Sequence, residues 1–342
     1  MLAACQWSHF TADRSTLLLL GDVKVRLLHG IMPHLFKDRN KASALYPSFY
    51  VSPMSMQKNK QTVLSLLQLY RLDVVLISFG AYAAGLVFSG GVRLGDLPIG
   101  LAISLISFNY IYSLNSIEDH HIDLVNKPHR PIPSGKLSLE TAQRYVMLLL
   151  VLSVAYPFFV QTDIINVLLF QLLPLLGWAY SKPPFHLKTK AIPAMISIAF
   201  MYTTPVAIGL ASRLGALSPM YVTLLSYIFL FCLSIVPLKD IEDVEGDQLH
   251  GSRNFLALLG MNRLLSISLA GLVAAIALVI LANLNLAITV VLIALPAAIF
   301  SLIAAFILLQ LPRTRLYRSI LVMIAVLALL FAINSLVFGG SL

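Results

Sequence analysis

From residue 71 onward the chain is written in long apolar runs, each close to the length of a membrane span, separated by short polar stretches. The runs fall at about 71–90, 97–114, 143–160, 164–181, 191–210, 219–238, 262–283, 286–309 and 317–338. At 1.5 Å of rise per residue, about 20 residues cross the roughly 30 Å of hydrocarbon in a bilayer. Each run is therefore a candidate spanning helix. Lone strands are excluded, because backbone groups without partners in lipid cost several kcal/mol each. The runs are also too long and too uniformly apolar for the in–out alternation of a membrane barrel strand. The pattern predicts an all-α, polytopic membrane protein of about nine transmembrane helices.

Composition sharpens this. Of the 342 residues, 58% are hydrophobic and 11% charged, with 10% aromatic. Soluble domains carry about 25% charged residues, so an ordinary soluble enzyme is excluded. The aromatic content excludes a disordered chain, which is polar throughout. A net charge of +9 would suit a nucleic-acid partner, but the basic residues sit in short loops between spans, so no nucleic acid is expected. If the N-terminus is cytoplasmic, the inner side comprises the N-terminal tail and the loops at 115–142, 182–190, 239–261 and 310–316. With the flanking helix ends these hold 22 of the 24 Lys and Arg residues, leaving Arg93 and Arg213 on the other side. That asymmetry predicts N-terminus inside and C-terminus outside, with the long, chemically varied loops on the cytoplasmic side or its organellar equivalent. Cys5 and Cys232 form no metal or disulfide pattern. Residues 1–60 contain only one short apolar stretch, Leu17–Leu20. They read as a cytoplasmic tail, a targeting segment, or an extension upstream of a start at Met54 or Met56.

The acidic residues are the chemical signal. Of 15 Asp and Glu, eight fall in two windows: Asn115-Ser-Ile-Glu-Asp119-His-His-Ile-Asp123 after the second run, and Asp240-Ile-Glu-Asp243-Val-Glu-Gly-Asp247 after the sixth. On a helix, Asn115, Asp119 and Asp123 share one face, as do Asp240, Asp243 and Asp247, whereas Glu242 and Glu245 point elsewhere. A carboxylate costs about 2.5–3.5 kcal/mol at a helix centre and less near the membrane boundary. Three on one face also repel each other, so a cation is needed, and an all-oxygen set favours Mg²⁺ or a similar hard ion shared with phosphate. Either cluster alone is equally compatible with a solvated loop among headgroups. Two matched clusters at equivalent helix ends favour a site. Lys127, Arg130, Lys182, Lys188, Lys239 and Arg253 lie on the same side. Any one of them is explained by topology, but together with the acids they favour a diphosphate, whose leaving-group charge metal and cations neutralise.

At these residues the chain resembles the UbiA superfamily of intramembrane prenyltransferases. Asn115-x-x-x-Asp119-x-x-x-Asp123 with Asn126-Lys-Pro-His-Arg130-Pro-Ile-Pro-Ser-Gly135 is similar to its first signature, and Lys239-Asp-Ile-Glu-Asp243-Val-Glu-Gly-Asp247 to its second. Tyr180-Ser181 with Leu187-Lys188 looks like the segment that members carry between the two, and Arg71 stands where members often have a basic residue opening the first span. The resemblance covers about 61–342, and the departures are Ser116 where many members have Asp and Leu72 where Pro is common. It implies helices bundled around a central cavity and Mg²⁺-dependent cleavage of a polyprenyl diphosphate. It also implies that Asn115, Asp119 and Asp123 form one metal wall and Asp240, Asp243 and Asp247 the other. Arg71, Asn115, Lys127, Arg130 and Lys188 would bind the diphosphate, and Asp119, Asp243 and Tyr180 would be catalytic.

The chemistry of the residues agrees. An allylic cation needs a dry cavity and nearby π-faces. Phe108, Tyr110, Tyr112 and Tyr180 lie near the motifs, although each aromatic except Tyr180 reads more readily as lipid-facing or interfacial. His120 and His121 read as water-boundary residues, and Gly80, Ala81, Ala83 and Ala84 as helix packing. The leading expectation is a prenyltransferase that acts on an aromatic, quinone-precursor or lipid acceptor. The alternative is a terpene cyclase of the same superfamily, which uses the same diphosphate machinery. A cation transporter fits less well, because transporter sites lie near the membrane midplane. Acceptor and prenyl length are not legible.

Overall fold

The computed structural model describes residues 62–69, 71–160, 163–212, 219–241, 254–282, 286–309, 311, 316–324 and 326–327, all within one compact unit, Gln61–Leu342. The readings of residues 1–60, and of Glu242, Asp243, Glu245, Asp247 and Arg253, lie outside the described residues. Every described element is helical. Helix α1 (Thr62–Leu69) meets α2 (Leu72–Phe88) at a 49° bend. There follow α3 (Leu94–Glu118), α4 (His120–Asn126), α5 (Leu139–Val160), α6 (Ile164–Ser181), α7 (Ala191–Ala211), α8 (Pro219–Ile241), α9 (Phe255–Leu259), α10 (Met261–Leu281) and α11 (Leu286–Leu308); 316–324 forms α12. Six of these are single helices long and apolar enough to cross a bilayer, and the bent α1–α2 pair makes a seventh. Helix α11 coincides with the eighth predicted run, and the ninth is helical where it is described.

Polar residues set the ends of the spans. Ser138 accepts the Thr141 N–H at 3.2 Å to start α5, Asp163 accepts the Ile165 N–H at 3.1 Å to start α6, and Asn254 accepts the Ala257 N–H at 2.8 Å to start α9. Gly260, at φ 73°, separates α9 from α10 in a conformation that a side chain would strain. Two features depart from the predicted boundaries. Helix α3 runs on to Glu118, so Asn115 stands on the span itself, and its wide turn at Ile103–Phe108 has π geometry. Such a turn shifts the face that everything after it presents.

The helices pack into two larger hydrophobic clusters. One joins α2, α3, α5 and α6 through Leu86, Phe108, Leu114, Val146 and Phe170; the other joins α7, α8, α10, α11 and α12 through Ala199, Phe231, Leu272, Ile303 and Ile320. The outward faces are apolar too, with Phe158, Phe159, Leu168, Val273 and Leu281 exposed, as lipid contact requires. The two halves meet at α2 and α7, whose backbones touch at Gly85 and Gly209. A Cβ on Gly209 would overlap the Tyr82 carbonyl, and one on Gly85 the Val206 carbonyl. Small residues at such crossings let spanning helices approach closely. No flexible side chain can yield there. Gly209→Val is therefore expected to destabilise the protein by about 1–3 kcal/mol, read as a lowered thermal midpoint in detergent; an unchanged midpoint would contradict the close packing.

Candidate active site

Helices α3 and α7 face each other along a cavity of about 400 Å³. On α3 the lining residues are Phe108, Ile111, Tyr112, Asn115, Ser116, Glu118 and Asp119; on α7 they are Ala191, Ala194, Met195, Ile198, Met201 and Tyr202. Both sets recur every three or four residues, so each is one helical stripe. The stripes run in opposite directions. Asp119 and Ala191 mark the polar end, and Phe108 and Tyr202, each 11 residues away, mark the depth. At 1.5 Å per residue this is a cavity roughly 16 Å deep.

The depth is aromatic. The Tyr112 and Tyr202 hydroxyls lie 2.7 Å apart, and the Phe108 and Tyr202 ring centroids 5.4 Å apart. Tyr180, from the end of α6, and Tyr317, on α12, also line the cavity. Arg71 sits at this level. Its guanidinium lies 5.3 Å from the Tyr112 ring centroid and donates to Asp73 at 2.5 and 3.3 Å. Tyr112 precedes Asn115 by three residues, so Arg71 lies about one helical turn, roughly 5 Å, below the first acidic motif.

At the polar end the structure joins Asn115, Asp119 and Lys188. The Asn115 Nδ2–H donates to Asp119 Oδ2 at 2.6 Å, and Lys188 Nζ donates to Asp119 Oδ1 at 2.6 Å with Asn115 Oδ1 at 3.5 Å. The helix breaks at Asp119 (φ −89°, ψ 3°), yet the backbone bonds Asp119 N–H to Asn115 O and Asp123 N–H to Asp119 O persist at 2.8 and 2.7 Å. Beyond the break, Asp123 does not line the cavity. Its buried carboxylate accepts from Arg130 at 2.6 Å and so holds the Arg130 guanidinium at the cavity wall. Burial pushes the Asp123 carboxyl above the usual carboxylate range against the downward pull of Arg130 and Lys127. His186 also lines the cavity, and burial, with Lys188 nearby, lowers its pKa and favours the neutral imidazole.

The opposite wall comes from the end of α8. Asp240 accepts from Lys239 Nζ at 2.6 Å and from the Phe255 N–H at 2.7 Å, tying α8 to the start of α9. Lys127, Lys239 and Asp240 all line the cavity. At the rim, Lys182 pairs with Glu118 at 2.7 Å. Tyr110 is buried in the first cluster; neither it nor His120 and His121, nor the small residues Gly80, Ala81, Ala83 and Ala84, line the cavity. Thus Arg71, Asn115, Asp119, Lys127, Arg130, Tyr180, Lys188 and Asp240 converge on one space, with Asp123 behind it.

Tyr202, Tyr317 and Asp73 escaped the sequence reading. The signals were slight: a polar Tyr202-Thr-Thr triplet inside an apolar run, and an acid two residues from Arg71.

The donors present suit a hard cation in kind: Asn115 Oδ1 and the Asp119 carboxylate, with Asp240 on the facing wall, are all oxygen. A cation already stands among them, because the Lys188 ammonium occupies the angle between Asn115 and Asp119. Among the described residues, no group of three or more acidic, His or Cys side chains converges on one point.

The UbiA prenyltransferase family matches residues 74–319, which is 246 of the 342. Among curated proteins the chain is 34% identical over 179 residues to the "Probable homogentisate phytyltransferase 2, chloroplastic" of Oryza sativa subsp. japonica, covering 48% of this chain and 45% of that protein. It is 30% identical over 188 residues to a digeranylgeranylglyceryl phosphate synthase of Methanobrevibacter smithii, covering 51% and 63%. These alignments span only part of either relative. Among solved structures, a UbiA homolog from Archaeoglobus fulgidus bound to GPP and Mg²⁺ has a TM-score of 0.64 at 20% identity, covering 79% of this chain and 99% of that one, a likeness of fold.

Proposed function

Because the chain belongs to the UbiA prenyltransferase family, we propose that it transfers a polyprenyl group from its diphosphate to an aromatic, quinone-precursor or lipid acceptor with the help of Mg²⁺. The observation that carries this reading is the Asn115–Asp119–Lys188 cluster at the polar end of a cavity whose depth is aromatic. The diphosphate would lie at that end, with Lys127, Arg130, Lys188 and Lys239 as its cationic partners. Asn115, Asp119 and Asp240, together with Asp243 and Asp247, would hold the metal. Bound there, Mg²⁺ neutralises the charge that develops on the leaving group.

The bond that breaks joins the allylic carbon to the bridging oxygen, and its electron pair leaves with pyrophosphate. The Lys and Arg side chains stabilise that charge. The allylic centre then lies one turn down, beside Tyr112 and Tyr180, whose π-faces favour a neighbouring cation while the apolar walls exclude water. The acceptor attacks that carbon and gives up one proton. Arg71 and the Tyr112 and Tyr202 hydroxyls favour an acceptor over cyclisation of the chain on itself, since a polar acceptor finds partners there and a hydrocarbon has no use for them. The distribution of Lys and Arg supports a multi-pass protein whose polar end faces the cytoplasm.

The test is product analysis with the detergent-purified full chain, Mg²⁺ and geranylgeranyl diphosphate, with and without an aromatic acid or a prenylglycerol phosphate. A prenylated acceptor, and turnover only when an acceptor is present, is the expected result. A cyclic hydrocarbon or terpene alcohol formed at turnover rate without acceptor would overturn it in favour of a cyclase.

A further inference from the structure

We propose that Lys188 guards the metal face in the resting site and surrenders it only to a diphosphate: the ammonium crosses from Asp119 to phosphate as the divalent ion takes its place. The proposal rests on the reading of the polar end as a prenyl-diphosphate site.

Lys188 Nζ holds one oxygen of Asp119 at 2.6 Å, and the Asn115 amide holds the other at 2.6 Å. A hard divalent ion on Asp119 and Asn115 would need oxygens at about 2.0–2.1 Å, in the place that the ammonium fills. The two cations exclude each other. Lys188 can leave without moving the backbone. It stands in the short turn Leu187–Thr189, whose main chain is fixed by the Thr189 N–H and Lys190 N–H bonds to His186 O and Leu187 O at 3.2 and 3.0 Å. Its four-carbon stem lets the ammonium swing on that anchor.

Among the described residues, Asp119 is the one acid that Lys188 pairs with. Among the described residues, the other acids around the polar end already carry cations: Glu118 holds Lys182 at 2.7 Å, Asp123 holds Arg130 at 2.6 Å, and Asp240 holds Lys239 at 2.6 Å. A metal that arrived alone would drive Lys188, only 11% exposed, off its partner, and among the described residues each acid near it already carries a cation. A diphosphate supplies another partner. Metal and diphosphate should therefore bind with positive coupling, and each should tighten the other by the same factor. Lys188 is the coupling element.

The experiment titrates the purified full chain calorimetrically with Mg²⁺ alone, and with inorganic pyrophosphate at several fixed free Mg²⁺ levels. Wild type should bind Mg²⁺ weakly at an Asp119-dependent site, and Mg²⁺ should tighten pyrophosphate binding at least about tenfold, within the usual range of coupling. Lys188→Met should bind Mg²⁺ alone at least about tenfold tighter than wild type, with the coupling diminished. Adding Asp119→Asn to that variant should remove the gain. Lys188→Gln, which keeps a polar side chain, should move in the same direction. Unchanged Mg²⁺ affinity and undiminished coupling in both Lys188 variants would overturn the guard alone. Failure of wild type to bind pyrophosphate at any Mg²⁺ level would overturn the diphosphate reading, and the guard with it.

Discussion

Asp119→Ala is expected to lower pyrophosphate release from a prenyl diphosphate by at least about 10³-fold, while the protein still inserts and folds. Removing one preorganised group that meets developing charge costs about 10²–10³ in rate, and on the proposed reading Asp119 would also hold the metal. Its carboxylate holds both Asn115 and Lys188, so its loss disorganises the polar end as well as removing a proposed ligand. The side chain is 21% exposed and stands at a helix break rather than inside a core, so the fold should survive. Glu118→Ala is the matched control. Glu118 is the adjacent acid, but it pairs with Lys182 at the rim, where the two side chains are 24% and 42% exposed. Exposed pairs of this kind contribute about 0–1 kcal/mol. Release rates of the two variants, with circular dichroism of each, check the contrast; equal loss in both would show that the effect comes from general disturbance of α3.

The second large effect falls on the other acidic motif. If Asp243 holds the metal as proposed, Asp243→Ala should reduce release by about 10²–10³-fold, whereas Glu242→Ala should stay near wild type. The contrast follows from spacing: on a helix, Asp240, Asp243 and Asp247 would share one face and Glu242 would not. Steady-state release assays on the two single variants decide it. Full activity in Asp243→Ala would mean that the second metal wall is wrongly assigned.

The spans were legible because a lipid solvent leaves a coarse signal. Runs such as 191–210 and 219–238 correspond within a few residues to Ala191–Ala211 and Pro219–Ile241. What lay at their ends was less so. The second apolar run stops at about 114, and the helix continues beyond it through Asn115–Glu118, because polar side chains at a membrane boundary do not end a helix whose backbone bonds can still close. Periodicity groups Asn115 with Asp119, and both line the cavity, but it cannot see partners distant in sequence. Asp123 turns to Arg130 after a break at Asp119, and Arg71 pairs with Asp73 beside Tyr112 rather than joining the motif cations at the polar end. Tyr202 was hidden for the same reason. Its position opposite Tyr112 depends on how α7 crosses the bundle and on the π turn that sets the face of α3, and neither leaves a local signature.

The central claim is that this cavity ionises a prenyl diphosphate with a divalent ion held on oxygen ligands. The most direct measurement is pyrophosphate release from geranylgeranyl diphosphate by the purified full chain, with the acceptor panel present, in Mg²⁺ and then in excess EDTA. Release in Mg²⁺ that stops on chelation and returns when Mg²⁺ is restored is the predicted result. Release that continues undiminished in EDTA, or no release from folded protein with any prenyl length or acceptor, would contradict it.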